Sequence, residues 1–280
     1  AKDAKSAFCE DSRVKFPTLM HLMGMGFKYV SLKGLKTKYV EAPKTEFDPL
    51  TNILTDYFTD AYCTLNPKAE KKDAEDMLVK IQKSLQNDDL GRQFYNEILL
   101  NTGERIIDLS SPVNFYKNNT FQVATEMTCG SKDSDNYRPD ITIFVNGLPL
   151  AFIEVKKENN HKGIQAETDR MKQRFVNPQY RRFLNITQIM VFSNDMEYDN
   201  NEVTPTIGAF YATIGKKNTK YNCFREEGQD SFPTARHIHQ VTPEEEEVLL
   251  RDNNVPQYKN SSEYKTNCLA NTPTKRICDS

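Results

Sequence analysis

One segment of this 280-residue chain combines two acidic residues and a lysine at the ends of strand-like runs. Asp140 stands directly before a short run of β-branched and aromatic residues, and Glu154 and Lys156 follow the next such run. On a strand, Glu154 and Lys156 share one face while Val155 points to the other. Holding a carboxylate and an ammonium together at a sheet edge costs free energy, so such a pair is expected mainly where it has a function.

Such a group of residues suits the hydrolysis of a phosphodiester bond. Carboxylates are hard ligands for Mg²⁺, which lowers the pKa of a bound water and neutralises charge on phosphate oxygens. Lys156 would orient that water or share the developing charge. We therefore predict Asp140, Glu154 and Lys156 as catalytic residues, with Asp140, Glu154 and the main-chain carbonyl of Val155 as Mg²⁺ ligands. The structural alternative is a surface hairpin with a capping aspartate and a solvated Glu/Lys pair.

Residue spacing does not identify this site, because the chain contains a second copy of the pattern. Asp56 and Glu70-Ala-Lys72 have the same separation of fourteen residues, but they lie in segments with helical periodicity. Only the strand context distinguishes the pair Asp140 and Glu154.

The connection between the two strands decides whether the two acids can meet. Asn146-Gly147 predicts a β-hairpin. In a regular two-residue loop, Asp140 would pair with Ile153, and Glu154 would point to the opposite face of the sheet. A shared metal site therefore requires a bulge or an odd-numbered loop, such as a three-residue connection with Gly147 at positive φ.

The elements around this segment predict an α/β fold, a sheet with helices on its faces. Residues 1–103 are expected to be helical, with helices near 11–24, 48–61, 67–86 and 89–100. Residues 104–215 are expected to form the sheet core, with a crossover helix over 162–175 and strands near 121–125, 141–145, 150–153, 186–192 and 206–211. We predict one domain over 1–240 and a linker over 241–280 that leads to a further domain, although Thr242-Pro243 is a well-formed helix start.

Composition and charge limit the other possibilities. The chain has no apolar run long enough for a membrane helix and no signal-peptide core at its start, so we expect a cytoplasmic protein. The six cysteines form no CxxC pair, which indicates free thiols. His237 and His239 lack ligand partners at suitable spacing, and we expect them on a solvated strand or loop.

A nucleic-acid role cannot be argued from the net charge, which is −2. Residues 156–182, however, contain eight Lys or Arg against three acids, directly after the predicted site. This stretch is either a DNA-contacting helix or a solvated helix face.

A family resemblance rests on residues 138–156, RPDITIFVNGLPLAFIEVK. This run resembles the nuclease motif of the R (restriction) subunit of type I restriction-modification enzymes, and the Asn-Gly-Leu-Pro-Leu turn is its most specific part. Residues 12–17 and 185–194 are also similar, so that the resemblance covers roughly residues 10–215. It implies a restriction endonuclease-like central mixed sheet and a PD-(D/E)xK-type, Mg²⁺-dependent DNA endonuclease. Asp140, Glu154 and Lys156 match the motif position by position.

The resemblance also implies roles for residues outside the motif. Glu10 on the first helix would add a carboxylate to the metal site. Related nucleases often carry a Gln followed four residues later by Tyr, whereas here Gln165 is followed by Asp169. Candidate DNA contacts are Arg138, Lys157, Gln165, Arg170 and Lys172.

The R subunit of this family also contains an ATP-driven translocase. The chain has no GxxxxGK[ST] phosphate loop, so ATP is expected only through a downstream motor domain. Double-stranded DNA and the methylation and specificity subunits of the restriction system are the implied partners, and no membrane is involved. Two alternatives remain, namely a repair or junction-resolving nuclease of the same fold and a non-catalytic DNA-binding or docking module.

Overall fold

The computed structural model describes residues 10–101, 103–130, 137–156, 163–194, 209–213, 222–223, 239–262 and 264–265. The strands are β1 (Lys28–Tyr29), β2 (Leu35–Lys36), β3 (Glu41–Ala42), β4 (Phe121–Thr125), β5 (Ile141–Val145), β6 (Leu148–Val155), β7 (Ile189–Ser193), β8 (Ala209–Thr213) and β9 (Asn222–Cys223). The α-helices are α1 (Phe16–Gly24), α2 (Thr55–Leu65), α3 (Lys71–Ser84), α4 (Pro112–Asn118), α5 (Gly163–Val176), α6 (Arg181–Ile186) and α7 (Pro243–Asp252). Turns of π-helix cover Asp11–Lys15 and Phe94–Leu99, and 3-10 turns cover Pro178–Tyr180 and Pro256–Asn260.

Seven strands form one mixed sheet in the order β1-β4-β5-β6-β7-β8-β9, and β2 and β3 form a separate pair. The β1–β4 and β6–β7 pairs are parallel, while the other neighbours are antiparallel. Helix α5 lies in the crossover from β6 to β7, a connection that parallel pairing requires. The predicted restriction endonuclease-like α/β architecture is confirmed.

The two faces of the sheet bury different helices. One face contributes Ile141, Ile153 and Val155 to a core that it shares with α1 and α7. The opposite face contributes Phe152 and Phe192 to a core that it shares with α5 and α6. Because side chains alternate along a strand, these cores fix the direction in which each neighbouring polar residue points.

The region expected to be helical contains short strands as well. Strand β1 joins the main sheet, and β2 and β3 form a hairpin, so the helical part predicted over 1–103 also contains three strands of two residues each. The helix expected from Asp48 begins only at Thr55. Asp48 instead accepts hydrogen bonds from Leu50 N and Thr51 Oγ1, and Asn52 has a φ of 61°, which ends any helix there.

The structure also differs from the linker predicted over 241–280. Leu249 and Leu250 of α7 are fully buried in the same core as Val155. Asp252 accepts hydrogen bonds from Tyr29 Oη (2.6 Å) and Ser31 Oγ (2.8 Å), which tie the end of α7 to β1 and to the segment after it. Tyr258 and Tyr264 belong to the same core, so the packing with the sheet extends past α7, while residues 263 and 266–280 lie outside the described residues.

The cysteines, the histidines and the helices were the subject of further predictions. Cys63 and Cys129 are free thiols, and Cys129 is buried. His239 Nε2 lies 2.8 Å from the Glu245 carboxylate at the start of α7, while His237 lies outside the described residues. None of the helices in the described part of the chain has the length and apolar character needed to cross a membrane.

Candidate active site

The hairpin between β5 and β6 turns through two residues. Val145 pairs with Leu148, and both residues between them have positive φ, 53° at Asn146 and 75° at Gly147. This combination is the one that a two-residue hairpin turn of type I′ requires. The Asn146 amide also donates to Asn119 Oδ1 (2.8 Å), which anchors the turn. The predicted three-residue connection is therefore wrong, whereas the positive φ at Gly147 is confirmed.

A bulge directly after the turn changes the register of the hairpin. Phe144 pairs with Pro149, but Ile143 pairs with Ala151, so Leu150 is an extra residue on β6. A single extra residue reverses the face to which all later side chains of that strand point. The bulge that a metal site shared by Asp140 and Glu154 requires is thus confirmed.

The corrected register brings Asp140 and Glu154 to the same face of the sheet. Ile141 pairs with Ile153, and both side chains lie in the core beneath α1 and α7. The adjacent residues, Asp140 and Glu154, consequently point to the opposite face. Asp140 Oδ2 accepts a hydrogen bond from Val155 N (2.9 Å), which fixes its carboxylate against the end of β6.

Glu154 is a buried carboxyl group in an acidic environment. Its side chain is almost inaccessible, and Oε1 has no hydrogen bond of good geometry among the described residues, although the Tyr137 hydroxyl lies nearby. Burial, followed by the charges of Asp140 and Glu167, raises the pKa of Glu154 to about 8, against the lowering effect of Lys156. Binding a cation would relieve this unfavourable environment.

Lys156 provides the positive charge of the site. Its Nζ donates to the Val155 carbonyl oxygen (2.9 Å) and lies 3.7 Å from Glu154 Oε2 and 3.6 Å from Glu167 Oε2. Burial lowers the pKa of Lys156, but the surrounding carboxylates raise it by a larger amount. The net shift of the pKa is therefore upward, and the ammonium stays charged. The Val155 carbonyl has a second lone pair, which leaves it able to face a metal ion as well.

Glu10 lies at the same site. It is half-buried at the start of the first helix, immediately before the π-helical turn. Burial raises its pKa, and the nearby charge of Asp140 raises it too, while Lys156 lowers it. The structure therefore brings Glu10 close to Lys156 and to Asp140, one of the two carboxylates that it was predicted to join.

Sequence reasoning missed three residues at the site: Glu167, Arg174 and Tyr137. Glu167 is buried on α5 and pairs with Arg174 NH1 (2.6 Å). The Arg174 guanidinium lies over the Tyr137 ring at 3.8 Å. Their spacing puts Glu167 and Arg174 on one helical face with the apolar Met171, but spacing alone does not show that this face is buried at the site.

The predicted DNA contacts lie at different distances from the site. Arg138 is exposed two residues before Asp140. Arg170 is 62% exposed and donates to Glu167 Oε2 (3.0 Å), which connects it to the site. Lys172 is exposed and pairs with Asp169 (2.9 Å). The backbone of residue 165 lies in the first turn of α5, its side chain is not described, and residue 157 lies outside the described residues.

The second copy of the spacing pattern forms no comparable site. Asp56 lies within α2, while Glu70 caps α3 in a reciprocal pair with Asp73, and Lys72 follows in the first turn of α3. Strand context, and not spacing, separates the two copies.

The described residues contain no cluster of three or more His, Cys, Asp or Glu side chains suited to a metal ion. The predicted carboxylate ligands Asp140, Glu154 and Glu10 are therefore not gathered into such a cluster here, and a metal ion would rely on two carboxylates and the Val155 carbonyl, with water and phosphate for the rest.

One comparison with known proteins identifies a family. A family model described as the N terminus of the type I restriction enzyme R protein matches residues 8–203. This match spans more than half of the chain and includes the first helix, the β5–β6 hairpin and α5. No curated protein matched the chain.

Proposed function

The chain belongs to the family of type I restriction enzyme R protein N termini, and we propose that it is the DNA endonuclease domain of such an R subunit. It would cleave phosphodiester bonds of double-stranded DNA with Mg²⁺ through Asp140, Glu154 and Lys156. The observation that carries this proposal is the bulge at Leu150, because it places two carboxylates and a charged lysine together at one end of the hairpin.

The residues present fit a divalent cation. Among the described residues, Glu154 Oε1 is a buried oxygen without a hydrogen bond of good geometry, and the carboxylates of Asp140 and Glu167 lie close to it. Asp140, Glu154 and the Val155 carbonyl would hold the ion, with Glu10 as a further carboxylate. When bound, Mg²⁺ supplies a water of lowered pKa and neutralises charge on the phosphate.

The protein's own groups do the rest of the work. The Lys156 ammonium is held by the Val155 carbonyl and two carboxylates, so it is preorganised to face a developing negative charge. Val155 N orients the Asp140 carboxylate. Arg138 and Arg170, which are exposed beside the site, would contact phosphates, together with Lys157, Gln165 and Lys172. Phosphate contacts position DNA without reading its sequence.

The remaining parts of the reaction belong to other components. We propose that ATP acts only through a motor domain of the whole R protein. Methylation and specificity subunits would choose the DNA sequence, and this domain would cut without recognising it.

The direct test is cleavage of plasmid DNA by the chain, assayed alone and within the assembled restriction complex. Asp140→Ala, Glu154→Ala and Lys156→Ala are each expected to slow cleavage on the order of a hundredfold or more while folding is retained. Cleavage by the unaltered protein should stop when Mg²⁺ is chelated.

The second copy of the pattern supplies matched controls for this test. Asp56→Ala and Lys72→Ala remove the same residue types from helices and should leave cleavage unchanged. Normal cleavage by Glu154→Ala would refute the proposed function.

A further inference from the structure

Helix α5 carries a buried carboxylate that contacts three cationic side chains. Glu167 is only 1% exposed. Its Oε1 accepts from Arg174 NH1 (2.6 Å), while its Oε2 accepts from Arg170 NH1 (3.0 Å) and lies 3.6 Å from Lys156 Nζ. One carboxylate thus joins the predicted catalytic lysine to an exposed arginine on the helix surface.

This arrangement is expensive for a purely structural helix. The inward stripe of a packed helix normally carries apolar side chains, and burying a carboxylate costs free energy unless it is fully paired. Among the described side chains of α5, the inward positions hold the buried Glu167 and Met171 and the half-buried Arg174 and Phe175. An ion pair of this kind contributes little net stability compared with apolar packing, so stability alone does not account for it.

Arg174, which makes the shortest contact with Glu167, is itself fixed next to the site. The Arg174 guanidinium stacks on the Tyr137 ring at 3.8 Å, and the Tyr137 hydroxyl lies beside the Glu154 carboxyl. Contacts therefore run from Glu154 through Lys156, Glu167 and Arg174 to Tyr137 and back to Glu154. Such a closed set of contacts leaves the Glu167 carboxylate little freedom to move.

Lys156 lies between Glu167 and Glu154, and its shortest contact is with the Val155 carbonyl oxygen (2.9 Å). The ammonium lies almost equally far from Glu154 Oε2 (3.7 Å) and Glu167 Oε2 (3.6 Å). A lysine side chain is flexible, and without Glu167 the ammonium would shift towards Glu154, the other carboxylate with which it forms an ion pair. It would then neutralise Glu154, the very group that the proposed function needs as a metal ligand.

We propose that Glu167 is a positioning residue that holds the Lys156 ammonium away from Glu154 and holds Arg170 beside it, so that both cations face the DNA phosphate. This inference rests on the proposed function. It assigns Glu167 no direct contact with substrate or metal.

The test is single-turnover DNA cleavage at saturating DNA by Glu167→Gln in the assembled complex. The variant should bind DNA but cleave it between about tenfold and a hundredfold more slowly, because the lysine is misplaced. Glu247→Gln is the matched control, since Glu247 is also a largely buried helical glutamate that contacts two cations, Arg251 and Lys259, and it should cleave normally.

A double-mutant cycle separates positioning from a general structural effect. If Glu167 acts through Lys156, Glu167→Gln should slow cleavage little or not at all in a Lys156→Ala background. Fully additive effects, or a normal rate for Glu167→Gln alone, would overturn the inference. If Glu167→Gln does not fold, Glu167→Asp replaces it, because it keeps the charge but withdraws the carboxylate by one methylene.

A second readout needs neither metal nor DNA. The rate at which an amine-reactive acylating reagent modifies Lys156, followed by mass spectrometry, should rise severalfold in Glu167→Gln and stay unchanged in Glu247→Gln. An unchanged rate in Glu167→Gln would contradict the contact. If the unaltered protein does not cleave DNA but this rate rises, the proposed function fails while the role of Glu167 in holding Lys156 stands.

Discussion

Among the single residues of the site, Glu154 is subject to two opposing effects. It is buried beside Asp140 and Glu167, which favours its neutral form, yet a metal ligand must be ionised.

Asp140, Glu154 and Lys156 could be predicted from sequence because charged residues at the ends of apolar strands are conspicuous. Glu167 could not, because its burial depends on how the crossover helix packs, and a basic helix with scattered acids is typical of a solvated face.

The raised pKa of Glu154 leads to a prediction about stability. A glutamate with an ordinary pKa of 4.5 titrates at about 8 in the folded protein, so between these values the folded state binds more protons than the unfolded state. The free energy of unfolding should therefore fall as pH rises through this window. Glu154→Gln lacks this loss, and without divalent cations its stability relative to the unaltered protein should increase from about pH 5 to about pH 8.

Urea denaturation in the presence of a chelator measures this difference at each pH. Other titrating groups cancel when the two proteins are compared, and Glu104→Gln, which changes an exposed glutamate, should show no such trend. A stability difference that is independent of pH would show that Glu154 is not in the environment described.

At the scale of elements, the hairpin determines whether the site exists. The two strands and the Asn-Gly turn follow from β-branched periodicity and turn chemistry, and the requirement for a bulge follows from side-chain alternation. The position of the bulge at Leu150 did not follow, because any residue of β6 could have supplied it. Strands β1, β2 and β3 could not be predicted, because each has only two residues and so short a run shows no periodicity. The start of α2 was misplaced because an aspartate that caps a helix and one that closes a turn look alike in sequence.

Gly147 provides a test of the turn. At its φ of 75°, an added Cβ would lie 2.6 Å from Leu54 O and 2.9 Å from Phe58 N, both of them rigid backbone atoms. Gly147→Ala should therefore lower the free energy of unfolding by about 1–3 kcal/mol. Gly103→Ala is the control, since its Cβ would meet only the flexible Asn101 side chain, at 3.3 Å. Equal denaturation midpoints for the two variants would contradict the described turn.

At the scale of the whole molecule, packing continues past the boundary that the sequence suggested. Leu249 and Leu250 are two apolar residues within a strongly acidic segment, and only the tertiary structure shows that they are buried in the sheet core. Charge is likewise a local property here. The net charge is −2, yet basic residues are concentrated after Lys156, where the exposed Arg170 and Lys172 lie on α5.

DNA binding should reflect this local charge. Arg170→Glu and Lys172→Glu should weaken binding to all DNA sequences alike, because phosphate contacts carry no sequence information. For each lost contact, the slope of log affinity against log salt concentration should become shallower by about one. Fluorescence anisotropy with Ca²⁺ in place of Mg²⁺ measures this slope. An unchanged slope would show that this face of α5 is merely solvated.

Diffraction from crystals soaked in Mn²⁺ tests whether Asp140 and Glu154 share one metal ion. Anomalous difference density should show a peak between the two carboxylates, next to the Val155 carbonyl, in the unaltered protein. The peak should be absent from Glu154→Ala crystals soaked in the same way. A fully soaked crystal without density at this position, or with Mn²⁺ bound only elsewhere on the chain, would show that the two carboxylates do not share a metal ion.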